Sequence, residues 1–215
     1  QHEVSLLTDM NIYPVSHLRQ LLSVKNIQEL KTLSVSDAPQ TEDLVFANTF
    51  EEIYEQQEAK RALEIAAAGG HNVLLTGPPG TGKSMLAQAL VSILPPLEES
   101  ESLSVNSIYS VAGLLENKIL RERPFRSPHH SISRPAMIGG GSNLLPGELS
   151  LAHTGVLFMD EIPEFSKHIL ESLRQPLEQG TVSISRALGT IHYPCNCILV
   201  AASNPCPCGY KFSQT

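Results

Sequence analysis

The residues with the clearest chemical meaning lie at positions 77–84, where the chain reads GPPGTGKS. This segment matches the phosphate-binding pattern G-x-x-x-x-G-K-[ST] at every fixed position. Its glycines let backbone amides turn toward an anion, and the helix that follows adds the positive end of its dipole. Lys83 is expected to contact the terminal phosphates of a nucleotide, and the Ser84 hydroxyl to bind Mg²⁺. A glycine-rich turn with a chance lysine is the alternative. The predicted phosphate-binding residues are Gly77, Pro78, Pro79, Gly80, Thr81, Gly82, Lys83 and Ser84.

Two carboxylates, Asp160 and Glu161, come directly after an apolar segment at 155–159. Because parallel strands end at the same edge of a sheet, polar residues after a strand meet in the ligand crevice. There Asp160 would hold the magnesium shell through water, and Glu161 would polarise the attacking water. Such a pair can also be plain surface residues at a strand end. Together with the phosphate-binding segment, the pair favours nucleotide hydrolysis over binding alone.

A third polar residue, Asn204, follows the apolar run at 198–202. In a parallel sheet its amide would project between the phosphate loop and the two carboxylates. It could orient the attacking water or touch the γ-phosphate. The alternative is that Asn204 only starts an Asn-Pro turn. Because the phosphate-binding segment and the two carboxylates are also present, we favour a role for Asn204 at the nucleotide.

The elements that must position these residues alternate between helices and short apolar strands. Strands are predicted at 72–76, 155–159 and 197–202, with a weaker one at 123–127. Helices are predicted at 51–68, 84–94 and 166–179, with a helix pair at 98–115. The segment at 181–185 is expected to pair with 191–193 as a hairpin, and 138–147 reads as a glycine-rich loop. This alternation predicts an α/β fold with a parallel sheet.

Composition excludes several classes of protein. The 215 residues carry a formal net charge of −7, so nucleic acid would not be held by global charge alone. No apolar run approaches the length of a membrane span, and residues 1–15 do not read as a signal peptide. The 4 cysteines all lie between positions 195 and 208, which is too few for a disulfide scaffold. We expect a cytoplasmic protein, and the absence of Met at position 1 indicates an excerpt of a longer chain.

Basic side chains concentrate locally between positions 118 and 134, where only Glu122 opposes them in sequence. They are Lys118, Arg121, Arg123, Arg126 and Arg134. This segment could contact phosphate, either of a nucleotide or of DNA. It could equally be a solvated loop that is basic by chance.

The three strand-end motifs, in this order, resemble those of AAA+ ATPases. Six further segments narrow the resemblance to the ComM/YifB group of magnesium-chelatase-related ATPases, over about residues 50–210. They read VAGL at 111–114, RPFRSPHH at 123–130, GGGS at 139–142, PGELSLAH at 146–153, LRQPLE at 173–178 and NPCPCGY at 204–210.

The resemblance implies a P-loop AAA+ core at 50–215, in which helices flank a parallel sheet. In the group a lid domain follows this core, and residues 50–215 do not include it. Residues 1–36 resemble the end of a Lon-protease-like domain, and 37–49 would be a linker. The group implies a homohexameric ring that uses ATP and Mg²⁺ and works as a DNA helicase driving branch migration. The alternative is a magnesium-chelatase-like subunit that remodels a protein partner. A nucleotide-gated scaffold without hydrolysis is disfavoured by Glu161 and Asn204. Without the lid and the arginine finger, turnover would be poor.

The resemblance also assigns residues. The backbone at Ile53 and Tyr54 would frame the adenine, with Glu55 where the group often has glycine. An insertion at 131–152 and the hairpin at 181–193 would point toward the pore of the ring. Arg186, near the tip of that hairpin, is therefore a candidate DNA contact, and Arg126 and Arg134 of the basic segment are the other two. Arg186 could instead form a salt bridge at the rim of the ring.

Two groups of metal-ligating residues are weaker candidates. Cys206 and Cys208 supply only half of a zinc site, so Zn²⁺ is expected only in the full-length protein, where the group has a further cysteine pair. Cys195 and Cys197 could complete the set, but a buried thiol is a common core residue. His129 and His130 look like a ligand pair, yet adjacent side chains of a strand point to opposite faces. We interpret them as polar loop residues.

Overall fold

A computed structural model of the chain describes residues 49–115, 119–141, 143–186 and 189–205, together with positions 13, 15, 17, 19 and 20. The expected N-terminal remnant at 1–36 and linker at 37–49 lie almost entirely outside this part. Cys206 and Cys208 lie outside it as well. No helix in the described ranges is both long enough and apolar enough to cross a membrane.

Four parallel strands form the central sheet, in the spatial order β1, β8, β5, β2. The strands are β1 (Val73–Thr76), β2 (Phe125–Arg126), β5 (Val156–Met159) and β8 (Ile198–Ser203). Val73 is in register with Val200, and Val156 with Ile198. The two central strands, β5 and β8, are the most apolar, as expected for strands covered on both faces. The predicted α/β fold with a parallel sheet is confirmed.

Helices cover both faces of the sheet. The longer ones are α1 (Gln57–Gly69), α2 (Lys83–Ile93), α3 (Glu99–Val111) and α6 (Lys167–Gln179). The first starts later than its composition predicts, because Glu55 and Gln56 adopt left-handed backbone conformations with φ of 60° and 58°. The segment expected to form a helix pair contains a single helix, α3, which opens with a capping box between Glu98 and Glu101.

The core has two halves, one on each face of the sheet. On one face α1 and α2 pack against β5 and β8. On the other face α6 and two short helices, α4 (Arg134–Ile138) and α5 (Glu148–Leu151), cover the sheet. Leu63 and Leu90 are fully buried in the first half, and Met137 and Leu149 in the second. Both faces of the sheet are therefore anchored by apolar burial.

Two antiparallel ribbons interrupt the alternation of strands and helices. One is β3 (Gly139–Gly140) paired with β4 (Leu145–Pro146), inside the segment that the sequence predicts as a loop. The other is the predicted hairpin, β6 (Thr181–Arg186) with β7 (Gly189–Pro194). The ribbons touch, since the Tyr193 hydroxyl donates to the Leu144 carbonyl at 2.9 Å. At Gly139, with φ of 106°, a Cβ atom would lie 2.7 Å from Ile184. It would also lie 2.8 Å from the Leu145 carbonyl oxygen and 2.9 Å from the Gly147 amide nitrogen, and this close approach of backbone requires glycine at position 139.

Arg123 ties the start of β2 to α3 and to the connection after α2. Its guanidinium donates to Glu101 at 2.8 and 3.2 Å and to the carbonyls of Pro95 and Thr154 at 2.6 and 2.7 Å. Burial acts to raise the pKa of Glu101, but the hydrogen bonds from Arg123 and the Glu98 amide outweigh it and lower that pKa. The expectation that the basic segment at 118–134 faces only Glu122 is wrong, because a carboxylate 22 positions away pairs with Arg123.

We predict that Glu101→Gln destabilises the protein near neutral pH and loses its effect in acid. The pKa of Glu101 is lower in the folded protein than in the unfolded chain, so the ionised carboxylate stabilises the fold. This stabilisation is fully present above the unfolded-state pKa and is lost as pH falls through the folded-state pKa. Loss of the charge-assisted bonds should cost about 1 kcal/mol at pH 7. The measurement is denaturant unfolding of both proteins at pH 7 and pH 3.

The matched control is Glu171→Gln, because Glu171 is exposed on the surface of α6 and its Oε1 lies 3.8 Å from Lys167 Nζ. It should change the unfolding free energy by less than about 0.5 kcal/mol at either pH. A Glu101→Gln penalty as large at pH 3 as at pH 7 would contradict the assigned ion pair.

Candidate nucleotide site

The phosphate loop connects β1 to α2 at the edge of the sheet where the strands end. Gly80 and Gly82 have φ of 79° and 80°, the left-handed region that other residues enter at a cost. The Lys83 ammonium donates to the carbonyls of Gly77 and Pro78 at 2.8 and 2.9 Å. It also donates to Asn204 Oδ1 at 3.1 Å. Among the described residues its acceptors are all neutral, so the ammonium charge is not compensated by a carboxylate.

Ser84 and Asp160 meet at the start of α2. The Ser84 hydroxyl donates to Asp160 Oδ2 at 3.0 Å, although 76 positions separate the two residues. The other oxygen, Oδ1, accepts the Glu161 amide at 2.9 Å, which orients the carboxylate. A hydroxyl beside a carboxylate is the kind of oxygen donor set that Mg²⁺ accepts alongside waters and phosphates. These residues therefore fit the predicted metal.

Glu161 begins the turn after β5 and has a left-handed backbone conformation with φ of 50°. A 3-10 turn, Ile162–Glu164, follows it. Its side chain is exposed, and its carboxylate has no hydrogen-bond partner among the residues that the structure describes. The carboxylate is therefore available to accept a proton from a water in the site.

A cavity of about 390 Å³ opens between the phosphate loop and the ends of β5 and β8. It brings together most of the residues predicted for phosphate, metal and water. Its lining residues are Pro79, Gly80, Thr81, Gly82, Lys83, Ser84, Met85, Asp160, Glu161 and Asn204. This lining fits a nucleoside triphosphate with Mg²⁺. The glycine-rich backbone and the Lys83 ammonium suit the phosphates, and the Ser84 hydroxyl beside the Asp160 carboxylate suits the metal.

The predicted adenine-side residues lie in the segment before α1 and do not line this cavity. Ile53 is buried, whereas the Tyr54 side chain is 88% exposed. The Lys60 ammonium donates to the Ile53 carbonyl and so ties this segment to α1. Gln56 Nε2 donates to the Thr81 carbonyl at 3.4 Å and links the segment to the phosphate loop. Gln56 is the glutamine of the adenine-side segment that the resemblance indicates, but the sequence does not predict its hydrogen bond to the phosphate loop.

The three candidate DNA contacts are not equivalent. Arg126 forms two bonds to Glu148, of 2.6 and 2.7 Å, and these bonds raise the pKa of its guanidinium. Its charge is therefore compensated within the fold. Arg134 is exposed at the start of α4 and lines a cavity of about 200 Å³ with Ser183 and Ser185. The backbone of Arg186 is the last position of β6.

The cysteines and histidines do not form a metal centre in the described ranges, where no cluster of three or more metal-ligating side chains occurs. Burial raises the pKa of the Cys195 thiol to about 11 and that of Cys197 to about 12. Both therefore stay protonated near neutral pH, and zinc binds the thiolate. The expectation that the side chains of His129 and His130 point apart is wrong, because their ring centroids lie 4.0 Å apart.

Comparison with known proteins gives concordant results. The sequence pattern of the family described as magnesium chelatase, subunit ChlI, matches residues 49–215. Competence protein ComM of Haemophilus influenzae is 45% identical over 97% of this chain and 42% of that protein. YifB of Escherichia coli is 53% identical over 72% of this chain and 31% of that protein. The chain thus spans less than half the length of these two relatives.

A solved structure adds evidence on the fold. It is a complex between the magnesium chelatase subunits BchI and BchD, built from a cryo-EM reconstruction. The matching chain is 28% identical, with a TM-score of 0.58, over 74% of this chain and 55% of that chain. The pattern match, the relatives and the fold all agree, and the chain belongs to the magnesium chelatase ChlI family of AAA+ ATPases, together with ComM and YifB.

Proposed function

We propose that this chain is the ATP-binding and ATP-hydrolysing core of a homohexameric ring motor that moves on DNA. The observation that carries the ATPase part is the joint placement of Lys83, Ser84, Asp160 and Asn204 by hydrogen bonds between three strand ends. Glu161 stands beside them with a free carboxylate within the described structure. Nucleotide hydrolysis needs a phosphate-binding loop, carboxylates for the metal and for the attacking water, and a polar group that orients that water. The phosphate loop, Asp160, Glu161 and Asn204 supply these groups.

Each side chain has a distinct role in the proposed hydrolysis. Lys83 exchanges its carbonyl acceptors for phosphate oxygens and neutralises charge there. Ser84 and Asp160 would hold Mg²⁺, which supplies charge compensation for the phosphates when it is bound. Asn204 keeps the Lys83 ammonium in place and orients the attacking water. Glu161 accepts a proton from that water through a carboxylate oxygen.

We predict that Lys83→Ala removes most of the nucleotide affinity. The variant loses charge-assisted hydrogen bonds to phosphate that are worth about 1.5–3 kcal/mol. This loss should raise the dissociation constant for ATP by about tenfold to 150-fold. Titration with a fluorescent ATP analogue measures the dissociation constant. Lys167→Ala is the charge-matched control, because Lys167 is exposed on α6, and it should leave the affinity unchanged. Equal affinity of Lys83→Ala and the parent protein would refute the phosphate-loop assignment.

We predict that Glu161→Gln binds ATP normally but loses turnover by about 100-fold to 10,000-fold, because the amide cannot accept the proton from water. Steady-state phosphate release and equilibrium binding, both made on the complete protein, measure the two effects separately. The matched control is Glu164→Gln, three positions along the same turn and also exposed. Normal turnover in Glu161→Gln would refute the role of Glu161 and assign the proton acceptor to another group.

The DNA part of the proposal rests on the similarity to ComM and on the exposed Arg134 near the hairpin. Arg134 is exposed next to Ser183 and Ser185 of β6, and Arg186 follows on the same strand. Arg126 contributes less, because Glu148 already compensates its charge. The alternative is a protein partner, as in magnesium chelatase, and the similarity to the BchI and BchD complex favours it. A zinc ion at Cys206 and Cys208 stays a prediction for the full-length protein.

We predict that Arg134→Ala combined with Arg186→Ala weakens binding of single-stranded DNA by the complete protein. Each lost phosphate contact should reduce the slope of log affinity against log salt by about 0.7. Fluorescence anisotropy at several salt concentrations measures both quantities. Arg174→Ala is the control, because Arg174 is exposed on α6 and pairs with Glu178. An unchanged salt slope, with ATP hydrolysis indifferent to DNA, would favour the protein partner.

A further inference from the structure

A second cavity adjoins the nucleotide cavity and shares two of its residues. It measures about 530 Å³, and the shared residues are Glu161 and Asn204. Its remaining lining residues are His130, Pro163, Glu164, Ser203 and Pro205. The residue proposed to accept the proton from water therefore borders both cavities, and an imidazole borders the second one.

Packing holds the His130 ring in place. Its centroid lies 4.0 Å from that of His129 and 6.4 Å from that of Phe165, which it meets edge-on. Phe165 is 3% exposed and directly follows the 3-10 turn that Glu161 opens. The imidazole and the carboxylate are therefore positioned by the same small unit, with Phe165 as its buried anchor.

The hydrogen-bonding capacities of the two side chains are complementary. In the part of the chain that the structure describes, neither ring nitrogen of His130 has a hydrogen-bond partner. The carboxylate oxygens of Glu161 have none there either. An imidazole N–H donates and a carboxylate accepts. Glu161 is exposed and long, so rotation of its side chain brings the oxygens to either cavity. Glu164, the other carboxylate of the second cavity, does not border the nucleotide cavity.

We propose that His130 is a positioning residue: its imidazole donates a hydrogen bond to the Glu161 carboxylate when nucleotide is bound and so orients the second carboxylate oxygen toward the attacking water. This proposal rests on the proposed role of Glu161 in hydrolysis. His130 transfers no proton, and the proton from water goes to Glu161. The effect of His130 is thus on turnover, while the contacts to the phosphates remain those of the phosphate loop.

Steady-state ATP hydrolysis by the complete protein tests the proposal with three variants. His130→Ala should lower kcat by about tenfold or more and leave KM within about twofold, the signature of a group that acts after binding. His130→Gln keeps an N–H donor and should recover most of kcat. His168→Ala is the matched control, because His168 is exposed on α6 and lines neither cavity. It should leave both parameters unchanged.

A second readout does not depend on turnover. Diethyl pyrocarbonate modifies accessible imidazoles, and mass spectrometry distinguishes His130 from His129. A non-hydrolysable ATP analogue should slow modification of His130 in the parent protein by about threefold or more, since a hydrogen-bonded nitrogen is less available. In Glu161→Ala this protection should disappear, while in Glu164→Ala it should persist.

Several results would overturn the proposal. They are an unchanged or higher kcat in His130→Ala, a rise of KM in proportion to the loss, an equal loss in His168→Ala, and protection that survives in Glu161→Ala. If His130→Ala does not fold, His130→Phe decides, because it keeps an aromatic ring beside Phe165 and removes the N–H donor. A loss of kcat in His130→Phe with KM unchanged supports the proposal, and an unchanged kcat refutes it. Absence of ATP hydrolysis in the parent protein refutes the proposed function itself, and normal turnover in Glu161→Gln refutes the role of Glu161, so these failures are distinguishable from a failure of the His130 proposal.

Discussion

Parallel hydrogen bonding among β1, β8 and β5 brings three distant chain segments to one edge of the sheet. Thr76 is in register with Ser203, so the phosphate loop and Asn204 begin side by side. The pairing of β5 with β8 places Asp160 at the same edge. Because the side chains of a strand alternate between faces, a slip of one residue would turn each strand-end side chain away. The contacts of Lys83 with Asn204 and of the adjacent serine with Asp160 thus depend on register, and the apolar burial on both faces enforces it.

Backbone conformation at the edge of the site adds a second constraint. Gly80 and Gly82 adopt left-handed conformations without penalty, but Glu161, Glu55 and Gln56 also do so, with φ of 50°, 60° and 58°. Each of these three costs about 1 kcal/mol relative to glycine. Such conformations persist only where the surroundings impose them, and all three flank the nucleotide cavity or the loop that lines it. At Glu161 the result is a carboxylate that borders two cavities at once.

Local patterns were enough to predict the sheet, the phosphate loop and the carboxylates after β5, because each of these follows from strand ends and glycine spacing. The late start of α1 was missed, since helix propensity does not reveal a left-handed residue such as Gln56. The basic segment was misjudged because Glu101 and Glu148 are remote in sequence and only packing brings them to Arg123 and Arg126. The neighbourhood of His130 depends likewise on tertiary packing, so the sequence offers only a polar loop there.

The connection between the hairpin and the nucleotide site follows from how β7 continues into β8. Only residues 195–197 separate the two strands, and this stretch is held at both ends. The Cys195 amide donates to Gly180 O at 2.9 Å, and the Ile198 amide donates to Gly155 O at 2.9 Å. A connection pinned in this way cannot absorb a displacement of the hairpin by local unfolding at little cost, because buried backbone bonds would have to break. The hairpin is therefore joined through β8 to Asn204, whose Oδ1 accepts from the Lys83 ammonium at 3.1 Å.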